Sequence, residues 1–410
     1  MIDQALYLSG TKPSVIFQLF EYGLKQAAIV GKENVYDYSL GNPSVPAPAR
    51  VTDAFQQLLT QTDPLALHGY TVSAGDIDVR RTIARALSDR SDITIRPENL
   101  FLTCGAAPAL LYVLRALSVQ QAEIVAIAPY FPEYRVFTEA CGAKFVTTDA
   151  DLATFQINLT SLEHCITRHT QAVIVNSPNN PSGVVYTREI LDQLARLLSR
   201  KSQEYGHPIY IIADEPYREL VYDGAEVPFL PSIYPDTVVC YSYSKALSLP
   251  GERIGYFCVP DTAADSSMLY TAAGAAARMM GHVCAPSLQQ KVIALCLDIE
   301  PQLTVYDKNR TTLYNALTSY GYHCIYPKGA FYMFVEAPGG DAQAFSDRAK
   351  VYNLLVVPGG GFGCPSFFRL STCVSSEMVE RSLPVFEKLA KLYFDNGFHR
   401  CTQYFLDAHS

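Results

Sequence analysis

A-V-I-V-N-S-P-N-N-P-S-G at residues 172–183, a helix-like stretch at 188–204, and then I-Y-I-I-A-D-E-P-Y at 209–217 read as strand, crossover helix and strand. Neither strand alternates apolar with polar residues: A-V-I-V and I-Y-I-I-A are apolar throughout. A strand with one face in water cannot look like that, so both faces are predicted to lie under helices, as in parallel sheets. The same alternation extends outward in both directions. Candidate strands fall at 99–103, 123–128, 144–148, 172–176, 209–213, Thr237–Ser242 and 255–259, with a further helix-like segment at 107–117. Repeated βα units predict an α/β fold with a large, doubly wound, mixed or mostly parallel sheet domain over roughly residues 46–289.

The flanks have a different texture. A long helix is predicted at 304–320, then a strand at 331–335, a helix at 341–351, a strand at 354–357 and a last helix at Ser376–Phe394. That mixture predicts a smaller α+β domain from residues 290–410, to which an N-terminal arm, 1–45, returns. The stretch after Gly397 carries no pattern. At 410 residues the chain exceeds one ordinary core. Hydrophobic residues at 49% against 18% charged argue for large buried surfaces rather than disorder. A net charge of −8 gives no electrostatic reason to expect nucleic acid or an anionic membrane as partner. No apolar run reaches the ~18 residues of a membrane span. The N-terminus shows no leader pattern, so the cytoplasm is expected and the sequon at Asn158-Leu159-Thr160 is taken as chance. Eleven scattered cysteines without a C-x-x-C pair speak against a metal site or a disulfide framework.

S-Y-S-K-A-L-S-L-P-G-E-R-I-G-Y at 242–256 places Lys245 just past a strand end, the edge at which open α/β sheets bind ligands. Ser242, Ser244 and Arg253 nearby are donors suited to a phosphate. A buried lysine can lose its proton and attack a carbonyl; a lone Ser-x-Ser-Lys is more often a surface lysine at a helix start. Asp214 follows a buried strand, where an ionised carboxylate needs a cation or strong donor. Glu215 could equally be the site acid, although an extended chain would turn it to the opposite side. Tyr217 could reach the same ligand. An Asp-Glu pair at a strand end also suits a metal or nucleotide, but no phosphate-loop motif accompanies it. Asn180, in the turn 176–183, can offer an amide donor at the sheet edge. T-C-G-A-A-P-A-L at 103–110 is a strand, a glycine and a helix start, whose free N–H groups at Gly105, Ala106 and Ala107 could cradle a phosphate.

Taken in order, these motifs resemble the fold-type I, class I/II aminotransferases, the superfamily of aspartate aminotransferase. The resemblance covers nearly the whole chain. It includes S-L-G-N-P-S-V-P-A-P at 39–48, H-G-Y-T-V-S-A-G at 68–75, P-Y-F-P-E-Y at 129–134, P-K-G-A-F-Y at 327–332, V-V-P-G-G-G-F-G at 356–363 and F-R-L-S at 368–371. It implies pyridoxal 5′-phosphate (PLP) as cofactor, bound to Lys245 as a Schiff base, with Lys245 also moving the substrate proton. Asp214 would pair with the pyridinium nitrogen, Asn180 and Tyr217 would hold the 3′ oxygen, and Phe131 would stack on the ring. Ser242, Ser244, Arg253 and the Gly105–Ala107 amides would hold the phosphate, and Tyr70 would reach it from the second subunit of a homodimer. Arg369 would bind the substrate α-carboxylate, with Asn180 and Gly41 at the same end. An amino acid and a 2-oxo acid would exchange the amino group by a ping-pong mechanism.

The chain departs from the family where relatives often carry a hydroxyl or lysine in place of Ala107. No clear second arginine stands ready for a distal carboxylate, so aspartate as donor rests on the resemblance alone. The Gly359–Gly361 run is expected to line the pocket as a loop. Two rival readings remain: a β-eliminating C–S lyase or synthase on the same scaffold, and, from another class, a non-catalytic ligand-sensing domain.

Overall fold

The computed structural model describes residues 2, 4–11 and 14–394. Its strands are β1 (Tyr36–Asp37), β2 (Leu100–Thr103), β3 (Glu123–Ala126), β4 (Lys144–Thr147), β5 (Thr170–Asn176), β6 (Tyr210–Asp214), β7 (Thr237–Ser242), β8 (Gly255–Cys258), β9 (Tyr332–Glu336), β10 (Leu354–Leu355), β11 (Val357–Pro358) and β12 (Phe367–Ser371). Seven of them form one sheet in the order β2-β8-β7-β6-β5-β3-β4. The run from β7 to β4 is parallel, and β8 is antiparallel to both its neighbours. All seven predicted strands of this sheet are present, within two residues of their expected ends.

Apolar side chains cover both faces, and the period of two shows how. Val173, Val175, Ile211 and Ala213 belong to one buried cluster; Ala172, Ile174, Tyr210 and Ile212 belong to another on the opposite face. Helix Arg188–Tyr205 covers the first face through Leu191, Leu194 and Leu198. Its ends are set locally. The Thr187 hydroxyl accepts from the Ile190 N–H, and Gly206 closes the last turn at φ +76°, a conformation that favours glycine. Helix Ala106–Leu117 covers the second face through Leu110, Val113 and Leu114, beside helix Ser266–Met279.

The predicted strand 354–357 is two strands. Leu354 and Leu355 pair in parallel with Tyr36 and Asp37, whereas Val357 and Pro358 pair antiparallel with β12 in the order β11-β12-β9. Residues 354–357 are all buried, so apolarity alone could not reveal the change of sheet at Val356. The β1–β10 pair also shows the N-terminal arm returning to this part of the chain. A separate cluster around Leu313, Phe345, Phe368 and Phe386 includes Tyr38 from the arm. The Gly359–Gly361 run does not line the cavity described below. It forms a 3-10 turn, Gly359–Phe362, with Gly359 buried beneath the Cys364 and Phe367 carbonyls, where a side chain has no room. The patternless stretch after Gly397 lies outside the described residues. Among those described, no helix is long and apolar enough to cross a membrane, and no group of three His, Cys, Asp or Glu could hold a metal ion.

Candidate active site

Asp214 ends β6 and is 5% exposed. The Tyr134 hydroxyl donates to its Oδ2 at 2.5 Å, and Oδ1 is buried with no partner among the described residues. Burial pushes this carboxyl up to about 7, opposed by the Tyr134 bond and helped by neighbouring Glu215. Glu215 points the other way, as an extended chain requires, and is ion-paired with Arg218, whose Nε donates to its Oε2 at 2.6 Å.

A short relay of hydrogen bonds ties Asp214 to the turn after β5. Asn176 Nδ2 donates to the Asp214 carbonyl at 2.8 Å, and Asn176 Oδ1 accepts from the Asn180 N–H at 2.7 Å. Asn180 Oδ1 in turn accepts from Arg369 Nη1 at 2.9 Å. Arg369 rises from β12 and is 2% exposed. Its Nη2 donates to the Ser39 carbonyl at 2.6 Å, and its Nε has no partner among the described residues. The guanidinium lies 4.5 Å from the Tyr332 ring centre, and burial pulls it below its usual value. Its hydrogen-bond partners among the described residues are neutral, and a buried cation of this kind is suited to a carboxylate.

Lys245 sits in the turn after β7. Its Nζ donates to the Gly41 carbonyl at 2.8 Å and lies 5.5 Å from the Phe331 ring centre. Burial lowers the amine to about 8, opposed by Cys373 and helped by Arg253 and Arg369. Gly41 has no space for a side chain, because a Cβ would run into the Tyr332 hydroxyl. That hydroxyl is 3.1 Å from the Tyr217 hydroxyl, and burial raises the Tyr217 phenol well above its ordinary value.

A cluster of donors occupies the other end. Helix Ala106–Leu117 opens towards it, so the first-turn amides of Ala106 and Ala107 are available. Ser242 Oγ and Ser244 Oγ are 2.7 Å apart. Arg253 donates to the Pro250 and Cys104 carbonyls at 2.8 and 3.0 Å. Gly105, at φ +94°, lets the guanidinium approach, since a Cβ would come within 2.7 Å of Arg253 Nη2.

Lys245, Arg253 and Arg369 face one cavity of about 460 Å³, within the range of small-ligand sites. Gly41, Asn180 and Tyr217 line it at the Arg369 end; Ala106, Ala107, Ser242 and Ser244 line the other, and Phe131 forms part of the wall. Gly105 and Asp214 stand behind that lining. Tyr70 is apart from it, 88% exposed. Reading the sequence missed three contributors: Tyr134 on Asp214, Tyr332 between Gly41 and Tyr217, and the Ser14–Phe17 stretch, which supplies Ile16 and Phe17 to the wall. Tyr134 and Tyr332 end the quoted motifs at 129–134 and 327–332; the Ser14–Phe17 stretch has no sequence signal.

The arrangement offers a neutralisable amine, a buried carboxylate awaiting a cation, a buried guanidinium awaiting an anion and a cup of phosphate donors. The family model described as Aminotransferase class I and II matches residues 32–385. An amino transferase from Eubacterium rectale has a solved structure similar to this one, with a TM-score of 0.94 and 52% identity, over 96% of this chain and 99% of that one. A solved aspartate aminotransferase from Thermotoga maritima gives a TM-score of 0.82 and 26% identity, over 93% and 98%. The aspartate/prephenate aminotransferase of Thermus thermophilus is 28% identical over 85% of this chain and 89% of its own length.

Proposed function

Because the chain belongs to the class I and II aminotransferases, PLP-dependent transaminases of fold type I, we propose that PLP is held by Lys245 and Asp214 in the cavity between β6, β7 and β12. The observation that carries this reading is the buried Asp214 Oδ1, which lacks a partner at a strand end where a protonated pyridine nitrogen would supply one. The other groups fit the same molecule. Ser242, Ser244, Arg253 and the amides after Gly105 would take the phosphate; Asn180 and Tyr217 would take the 3′ oxygen, and Phe131 would lie against the ring. When bound, PLP withdraws electrons from the bonds at the amino acid Cα and makes its proton removable.

The chain's own residues account for the rest. Arg369 exchanges its neutral partners for the α-carboxylate of the amino acid or 2-oxo acid, which restores charge balance to a buried guanidinium. The lowered pKa of Lys245 leaves a useful fraction of neutral amine near neutral pH, so Nζ can take the Cα proton as base and return it as acid. Tyr134 holds Asp214 in place by donating its hydroxyl to Oδ2, which leaves Oδ1 for the cofactor. The two half-reactions alternate on one site, in ping-pong order.

A homodimer in which Tyr70 reaches the partner's phosphate cup is supported by the exposure of Leu65, Tyr70 and Val72 on one segment. The cytoplasm remains our reading of the compartment. So does the division into a cofactor domain, 46–289, and a smaller domain made of 1–45 with 290–410. It is supported by the confinement of the seven-stranded sheet to residues 100–258. Replacing Lys245 by Ala tests the core of the reading. The purified variant is expected to lack the visible absorbance of lysine-linked PLP and to lose transamination by roughly 1,000-fold or more. Full activity in that variant would sink the assignment.

A further inference from the structure

The helix Glu133–Ala140 presents its first residues to two different tasks. Tyr134 turns to Asp214, whereas Glu133 and Phe137, one helical turn apart, face the cavity. Glu133 is half-buried, and no described residue gives it a hydrogen bond or an ion pair; burial raises its carboxyl above the ordinary value. It is the one acidic side chain among the described residues that line the cavity. The basic ones are Lys245, Arg253 and Arg369, and the proposed function commits all three. Elsewhere the wall is mostly apolar, formed by Ile16, Phe17, Leu40 and Phe137 with the Ser14 and Tyr332 hydroxyls among them, and Ala107 adds no charge beside the phosphate cup.

An amino acid with its α-carboxylate on Arg369 therefore extends its side chain into a space where the described residues of this chain offer no uncommitted cation and one anion. A second carboxylate ~8 Å from Glu133, at an effective dielectric of ~20, would be disfavoured by roughly tenfold to thirtyfold. Lost hydration adds to this wherever the side chain meets the apolar part of the wall. The aspartate preference that the family resemblance suggests does not sit with these groups.

We propose that Glu133 is a specificity-determining residue, whose carboxylate turns away amino donors with an acidic side chain. This rests on the reading of the cavity as the transamination site. The test is the first half-reaction of the PLP-loaded enzyme, followed by the loss of visible absorbance. Aspartate, glutamate, ornithine, leucine, methionine and phenylalanine are compared as donors. The best uncharged donor is expected to exceed aspartate and glutamate in kcat/KM by at least about 100-fold, a ratio of the size set by lost pairing and repulsion together. In Glu133→Gln this ratio should shrink at least about tenfold, through a lower KM for the acidic donors rather than a changed kcat. Glu133→Asp keeps the charge and should keep the ratio. An acidic donor that outruns every uncharged one overturns the proposal, as does a ratio that Glu133→Gln leaves unmoved. If no donor bleaches the absorbance of a folded, PLP-loaded protein, the transaminase reading itself falls and this inference with it.

Discussion

Replacing Asp214 by Asn should make the cofactor-free protein more stable and the PLP-loaded protein less so. Burial with one oxygen unpartnered pushes the folded carboxyl up to about 7, from the ordinary aspartate value of 3.8. A carboxyl whose folded pKa is raised contributes its full stability below the unfolded value and loses it as the pH climbs through the folded one. The window here runs from about pH 4 to about pH 7. At roughly 1.4 kcal/mol per pH unit, the accumulated cost above that window is on the order of 4 kcal/mol, an upper bound because the protein can relax around the charge. Asn keeps an acceptor for the Tyr134 hydroxyl and carries no charge, so it removes most of this cost in exchange for one buried amide donor. Guanidinium unfolding of both apoproteins is the assay. The variant is expected to be more stable by about 1–3 kcal/mol near pH 8, with less than half that advantage near pH 5. Saturating PLP should invert the order, since only the wild type gains a carboxylate opposite the pyridinium. An apo variant no more stable than wild type near pH 8 would refute the picture of an uncompensated buried carboxylate.

Two further outcomes follow from the cations. The amine of Lys245 is lowered to about 8, so it is neutral above that pH and protonated below it. The rate at which apoprotein and PLP develop visible absorbance should rise with pH and level off above about 8; a rise continuing towards 10, the ordinary lysine range, would contradict the desolvation of Lys245. Arg369→Lys replaces a planar fork by a point charge, and should raise KM for both amino acid and 2-oxo acid by roughly 100-fold while PLP absorbance persists. Unchanged KM values in steady-state assays would mean that the α-carboxylate binds elsewhere.

Strands β5, β6 and β7 were legible because their apolar runs have no alternative explanation at that length. Lys245, Asp214, Asn180 and Arg369 were legible because each stands at a fixed step beyond a strand or in a motif kept in family order. Other features depend on partners that are distant in sequence. Nothing in P-Y-F-P-E-Y says that Tyr134 turns to Asp214, eighty residues later, while Glu133 beside it faces the cavity. That division is set by where the helix lies on the sheet. The break at Val356 was hidden for a different reason: both halves are equally buried, and a change of pairing partner leaves no mark on hydropathy. The glycines at 359–361 looked like a pocket-lining loop, but Gly359 serves close backbone packing, which composition cannot distinguish.

Ser39 and Gly41 are separated by a single residue, and their carbonyls accept hydrogen bonds from two cations rooted in different sheets, Arg369 on β12 and Lys245 beyond β7. This one extended stretch is in effect a ruler laid between amine and guanidinium. One residue added or removed there would change the span between them without touching either.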